Sequence, residues 1–228
     1  RGAFHRWQVV QLIWGGKHAR VTSAFTSMVS KQRRQIVKHF INSIWTFSVL
    51  ACTGAVAAPL ADLSGGQTGR IEYESMNPPK RWGYGRLNMQ NTTRAVVWGD
   101  LLMPENVNGK VPALVLSHGS SGSSPAAYDV WARDMNAAGV AIFIIDSFKP
   151  RGVDQTATDQ SKVTFPAQIS DALNALKLLA SHPQIDSTRI YNIGMSRGGG
   201  VAFDTAWPTW QRPVNTNGAK FAGHIALY

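Results

Sequence analysis

An α/β domain built on a mostly parallel sheet flanked by helices is the fold class this sequence predicts, and three observations predict it. From residue 111 onward, short continuous apolar runs alternate with segments of helical period. Runs without polar alternation belong to strands that are buried on both faces, as in a parallel sheet. The pentapeptide Gly194-Met195-Ser196-Arg197-Gly198 directly follows one such run and opens a further helical stretch. Strand, helix, strand, helix, strand at these lengths calls for parallel strands joined by right-handed crossovers.

Taken in order, residues 58–69 are small and polar and read as a linker. Residues 70–76 alternate weakly, as an edge strand does. Residues 95–102 read as a strand that ends before Pro104, with a turn at 106–110. Residues 113–116 form the first fully buried strand. Residues 126–138 place Tyr128, Trp131, Ala132 and Met135 on one helical face, and Gly139 is a C-terminal stop. Residues 140–145 are a second buried strand. Residues 165–179 carry Ile169, Ala172, Leu173, Leu176 and Leu179 near helical spacing. Residues 189–193 form the third buried strand, and 221–228 begin a fourth.

The formal net charge of +10 suggests a nucleic-acid partner until it is mapped. Residues 1–61 hold Arg1, Arg6, Lys17, Arg20, Lys31, Arg33, Arg34 and Lys38, and no Asp or Glu. Eight of 23 basic residues are thereby removed, leaving 15 against 13 acidic residues in the remainder. A nucleic-acid groove needs its cations clustered on the folded part, so nucleic acid is excluded as the partner. The basic stretch reads instead as part of an export signal. Lys31-Gln32-Arg33-Arg34 and Lys38 precede the apolar residues 44–57, and Ala55-Val56-Ala57 offers a small-x-small cleavage site. A membrane span needs about 20 apolar residues, and this stretch is shorter and is broken by Thr46, Ser48, Thr53 and Gly54. The expected organisation is upstream translated sequence over 1–27, a signal peptide over 28–57, a linker and edge strand over 58–93, and the α/β domain over 94–228. Cys52 is the single cysteine; it is a small residue in the apolar core of the signal or, alternatively, the acceptor of a lipid. An exported protein cleaved after Ala57 has no cysteine and is indifferent to an oxidising compartment.

The G-x-S-x-G pattern marks a strand that turns sharply into a helix and lifts a serine hydroxyl above the sheet. Glycines flank it because the turn is strained and backbone passes close by. The loop Ser117-His118-Gly119-Ser120-Ser121-Gly122 leaves the first buried strand. In serine hydrolases of this topology such a loop supplies one backbone N–H to an oxyanion hole, and the residue after the serine supplies the other. Ser120 and Arg197 are the expected donors, each worth about 3 kcal/mol of transition-state stabilisation. His118 precedes the serine in the chain and reads as a structural hydrogen-bonder.

Those two motifs, together with Asp146-Ser147-Phe148-Lys149-Pro150-Arg151-Gly152 between them, resemble the dienelactone hydrolase family of α/β-hydrolases over residues 94–228. The resemblance implies an α/β-hydrolase fold, hydrolysis of a small-molecule ester or lactone, and no metal or organic cofactor. The namesake enzyme uses a cysteine nucleophile, from which Ser196 departs. In that enzyme an arginine in this region holds a substrate carboxylate, and Arg151 is the nearest match. It follows a sheet strand, at the carboxyl edge where open α/β folds bind ligands, and a guanidinium can grip an acid group with two bonds. The alternative is an arginine that orders its own loop against Asp146 or Asp154.

A serine hydroxyl needs an adjacent base, and in this fold the acid and histidine follow the serine. After Ser196 come only Asp204, about two turns along the outgoing helix, and His224, inside the next strand. The expectation is therefore an exported serine esterase or lactonase, cut short of an acid and base lying beyond Tyr228 and nearly inactive as it stands. Two other classes fit the same residues: a non-catalytic α/β-hydrolase-like binding protein, and an exported peptidase.

Overall fold

The computed structural model describes residues 58–79, 91–124 and 128–228. The segments read as upstream sequence and signal peptide, with Cys52, lie outside the described residues. Six strands form one mixed sheet: β1 (Gly69–Asn77), β2 (Thr93–Leu102), β3 (Val111–Ser117), β4 (Ala141–Asp146), β5 (Ile185–Met195) and β6 (Gly223–Leu227). Their order across the sheet is β1-β2-β4-β3-β5-β6. The pairs β1–β2 and β2–β4 are antiparallel, and β4–β3, β3–β5 and β5–β6 are parallel. This is the mostly parallel α/β arrangement that the apolar runs predicted.

Period-2 geometry divides the core into two layers. Ala113 and Val115 of β3 and Ala141, Phe143 and Ile145 of β4 face one side, packed with helix α2 (Phe165–Ser181). Leu114, Leu116, Ile142, Ile144 and Ile193 face the other, against Trp131, Ala132 and Met135. Helix α3 (Arg197–Asp204) joins the α2 side through Val201. Each fully buried Leu or Ile contributes about 1.5–3 kcal/mol, so the two layers hold the sheet's carboxyl edge as a rigid platform.

Helix α2 starts where its sequence says it should. The Thr164 hydroxyl caps it by accepting from the Ala167 N–H, with proline in the first turn. The segment expected as a helix over 126–138 is more irregular: a π-helical turn (Tyr128–Ala132) leads into a short α1 (Arg133–Ala137). Gly139 stops it at φ 76°, a conformation that glycine adopts without strain. Two further expectations shift. Strand β5 begins at Ile185, ahead of residue 189, because Ile185 pairs with Val111 of β3 across an irregularity in the register, while Asp186 accepts from the Thr188 N–H and hydroxyl. Residues 58–69 are docked to the domain, unlike a free linker. Leu60 bridges to Tyr73, and the fully buried Leu63 donates its N–H to Ser181 Oγ at 2.8 Å. Among the described residues no helix is long and apolar enough to cross a membrane.

Candidate active site

Strand β5 ends at Met195, and the next residue, Ser196, adopts φ 54° and ψ −120°. A non-glycine residue held there stores about 1–3 kcal/mol of strain. Its neighbours impose it. The Ser196 N–H donates to Leu227 O on β6 at 2.9 Å, and Ser196 O accepts from the Gly200 N–H at 3.1 Å. A Cβ on Gly194 would lie 2.0 Å from Gly198 O, and one on Gly198 would lie 2.0 Å from Ser117 O. Only glycine permits either approach, so the strand–turn–helix closes tightly and leaves Ser196 exposed. Arg197 opens α3, and the first N–H groups of a helix have no intrahelical acceptor.

The loop after β3 comes to the same place. A Cβ on Gly119 would sit 3.2 Å from Met195 O and 3.5 Å from Ser196 Cβ, so Gly119 lies directly against the turn. The Gly119 carbonyl accepts from the Gly122 N–H at 3.2 Å and from His118 Nδ1 at 2.8 Å. In a trans peptide the N–H points opposite to the C=O. Clamping the Gly119 carbonyl therefore fixes the direction of the Ser120 N–H. The other ring nitrogen of His118 accepts from the Ser147 N–H at 3.0 Å, which settles the tautomer as Nδ1-protonated. The ring is buried and meets Phe148 edge-on, with centroids 4.4 Å apart. Burial pushes its pKa below the usual histidine range, against the pull of the Gly119 bond and Asp146. His118 is a neutral structural histidine, as its place in the sequence predicted.

Arg151 is where the structure departs from the ligand-binding expectation. Its Nε donates to Asn77 Oδ1 at 2.7 Å, and Nη1 to Ser147 O at 2.7 Å and Asp171 Oδ2 at 2.8 Å. Nη2 donates to Asp171 Oδ1 at 2.9 Å and Met76 O at 3.3 Å. A guanidinium has five N–H donors, and all five are used. Its side chain is 9% exposed and that of Asp171 is fully buried. Burial opposes the charge, yet Asp171 more than compensates and raises the arginine's pKa. The corrected role is the loop-ordering one, with Asp171 of α2 as partner in place of Asp146 or Asp154. Asp146 instead accepts from the Phe148 and Lys149 N–H groups, each at 3.0 Å.

The acid and histidine that follow Ser196 in the chain lie away from it along their own elements. His224 pairs in register with Asn192, three residues short of the strand end, or about 10 Å at the rise of a strand. Its Nδ1 lies 3.2 Å from Thr205 Oγ1. Asp204 is the last residue of α3, about 12 Å along the helix. His182 sits at the C-terminal end of α2, where its Nδ1 accepts from the Gln184 N–H. Among the described residues no group of three or more His, Cys, Asp or Glu could hold a metal ion.

Sequence reasoning missed two glutamines that border the site. Gln168 accepts from Arg197 Nε and donates to His118 O at 3.4 Å. Gln160 accepts from Arg197 Nη1 and donates to Ser120 Oγ at 2.9 Å. For Gln168 a signal existed: it is a polar residue on the stripe of α2 that is otherwise apolar, next to Asp171 on the same face.

The acetyl xylan esterase (AXE1) family model matches residues 84–208. No curated protein sequence matches. Among solved structures the chain is similar to DcsB in complex with its substrate analogue, at 22% identity and a TM-score of 0.40 over 53% of this chain and 39% of that one. It is similar to a bacterial heroin esterase at 22% identity and a TM-score of 0.40, over 60% of this chain and 39% of that one. Butyrate-bound esterase 2 of Thermogutta terrifontis matches at 18% identity and a TM-score of 0.39, over 48% and 39%. The chain thus spans about two fifths of the length of these structures.

Proposed function

The chain belongs to the acetyl xylan esterase family, and on that premise we propose that it contributes the nucleophile and oxyanion hole of a carboxylic ester hydrolase, with Ser196 as nucleophile. The observation that carries this reading is the backbone of Ser196, held at φ 54° and ψ −120° on the carboxyl edge of the sheet. Such strain is retained where it serves a site. Ser196 Oγ attacks the acyl carbonyl carbon while a base takes its proton. The carbonyl oxygen becomes an oxyanion that accepts from the N–H groups of Ser120 and Arg197. Collapse expels the alcohol and leaves an acyl-serine, which water then hydrolyses by the reverse sequence.

In this reading none of the described histidines is the base. Both ring nitrogens of His118 are hydrogen-bonded, His224 lies about 10 Å short of the strand end, and His182 sits at the C-terminal end of α2. This part alone therefore has a nucleophile that is not activated. The family description points to acetyl esters of a carbohydrate as the substrate class. The lactone reading is supported by the likeness of residues 117–122, 146–152 and 194–199 to dienelactone hydrolases. It is the weaker of the two, since Arg151 has no donor left for a substrate carboxylate. Export is part of the same proposal and is supported by the basic stretch, the apolar residues 44–57 and Ala55-Val56-Ala57. In the full-length protein, Ser196→Ala should abolish turnover of p-nitrophenyl acetate. Unchanged turnover in that variant would end the proposal.

A further inference from the structure

We propose that Gln168 and Gln160 are positioning residues that set the separation between the two halves of the oxyanion hole. This rests on the reading of Ser196 as nucleophile. The two donors belong to different parts of the chain, Ser120 to the loop after β3 and Arg197 to the start of α3. Something must fix their spacing, and two side chains bridge them in parallel.

The inner bridge is Gln168, 2% exposed on α2. Its Oε1 accepts from Arg197 Nε, and its Nε2 donates to the carbonyl of His118 at 3.4 Å. The outer bridge is Gln160, in the segment between β4 and α2. Its Oε1 accepts from Arg197 Nη1 at 2.5 Å and from the Ser120 hydroxyl at 3.3 Å, while its Nε2 donates to Ser120 Oγ at 2.9 Å. Its backbone carbonyl accepts from Arg197 Nη1 at 3.2 Å. The Thr156 N–H adds a tie to Ser120 O at 2.8 Å.

The chemistry explains the residue type at position 168. A guanidinium only donates and a carbonyl only accepts. A side chain joining the two must accept at one atom and donate at another, which an amide does and a carboxylate or ammonium does not. The arginine also fixes which way each amide faces. Arg197 also donates through Nη2 to Val163 O, and the Phe148 and Phe165 rings lie 5.9 and 5.7 Å from its guanidinium carbon. The guanidinium is thus a fixed post to which both glutamines tether the 118–120 loop.

The test measures kcat and KM for p-nitrophenyl acetate in the full-length protein, with Ser196→Ala alongside. Gln168→Ala should lower kcat about 10- to 100-fold, because misplacing a catalytic group by about 1 Å costs about 100-fold. KM should stay within about twofold, because the lost interaction matters only once the oxyanion forms. Gln168→Glu still accepts from Arg197 but cannot donate to His118 O, so its kcat should also fall. Gln160 is exposed, so Gln160→Ala should cost less, about 3- to 10-fold. Gln160→Glu keeps both acceptor contacts and should restore most of that loss. The inference is overturned if Gln168→Ala, with wild-type circular dichroism, keeps kcat within about twofold, or if its loss falls equally on KM. Should Gln168→Ala not fold, full kcat in Gln168→Glu overturns it instead. If Ser196→Ala retains turnover, the nucleophile reading fails and the glutamines are not at issue.

Discussion

Replacing Arg151 by alanine strands a carboxylate. Asp171 has no exposed side-chain surface, and beyond Arg151 its Oδ1 accepts from the Ser75 hydroxyl. Removing one partner of a buried ion pair costs about 3–5 kcal/mol, chiefly because the other charge stays buried without compensation. Three further acceptors, Asn77 Oδ1, Ser147 O and Met76 O, lose their donor in the same step. Taking about 4 kcal/mol, and about 2–4 °C per kcal/mol for a domain of this size, Arg151→Ala should lower Tm by about 8–16 °C. The assay is thermal and urea unfolding followed by circular dichroism. Arg151→Met combined with Asp171→Leu should recover part of the loss, since no charge is then left unpaired. A loss under about 1 kcal/mol would mean the pair is no more than a surface salt bridge. Coupled with a raised KM for carboxylate-bearing esters alone, it would return Arg151 to substrate binding and refute the reasoning.

Gly198→Ala should prevent folding of the turn, because the new Cβ would meet Ser117 O at 2.0 Å and neither backbone can move away; soluble expression at the wild-type level would contradict this. Stability should fall as pH drops below about 6.5, the usual histidine value. Burial lowers the folded pKa of His118, so the unfolded chain binds the proton first and unfolding is favoured as acid is added. Melting curves between pH 7 and 5 should show this slope, and His118→Asn should reduce it, leaving the part that comes from His182 and His224, which burial also pushes down. Expressed in a bacterium with its first 57 residues, the protein should mature to an N-terminus at or near Ala58, read by N-terminal sequencing. An intact leader in the cytoplasm would contradict export.

Strands β3 and β4 were the most legible because their side chains have almost no solvent face. The turn at Ser196 was legible because its G-x-S-x-G pattern is local, with Gly194 demanded by the backbone of Gly198, whereas the contact that demands Gly198 itself, Ser117 O, lies in a distant loop. The Arg151–Asp171 pair was not, since nothing local ties position 151 to 171. Only after α2 docks does the polar pair Gln168 and Asp171, set in an apolar stripe, find its partners in two different loops. The docking of Leu63 was hidden by the small, polar character of its neighbours. The irregular start of α1 was hidden because periodicity records a face and not the hydrogen-bond pattern behind it.

The central claim, that Ser196 is the nucleophile, is tested most directly by trapping the acyl group it should carry. The full-length protein, quenched with acid during turnover of p-nitrophenyl acetate and digested, should yield the Ser196 peptide bearing an acetyl group by mass spectrometry. Ser196→Ala should yield no acetylated peptide and no turnover. Sustained turnover with the acetyl group on another residue, or with Ser196→Ala as active as the wild type, would contradict the account.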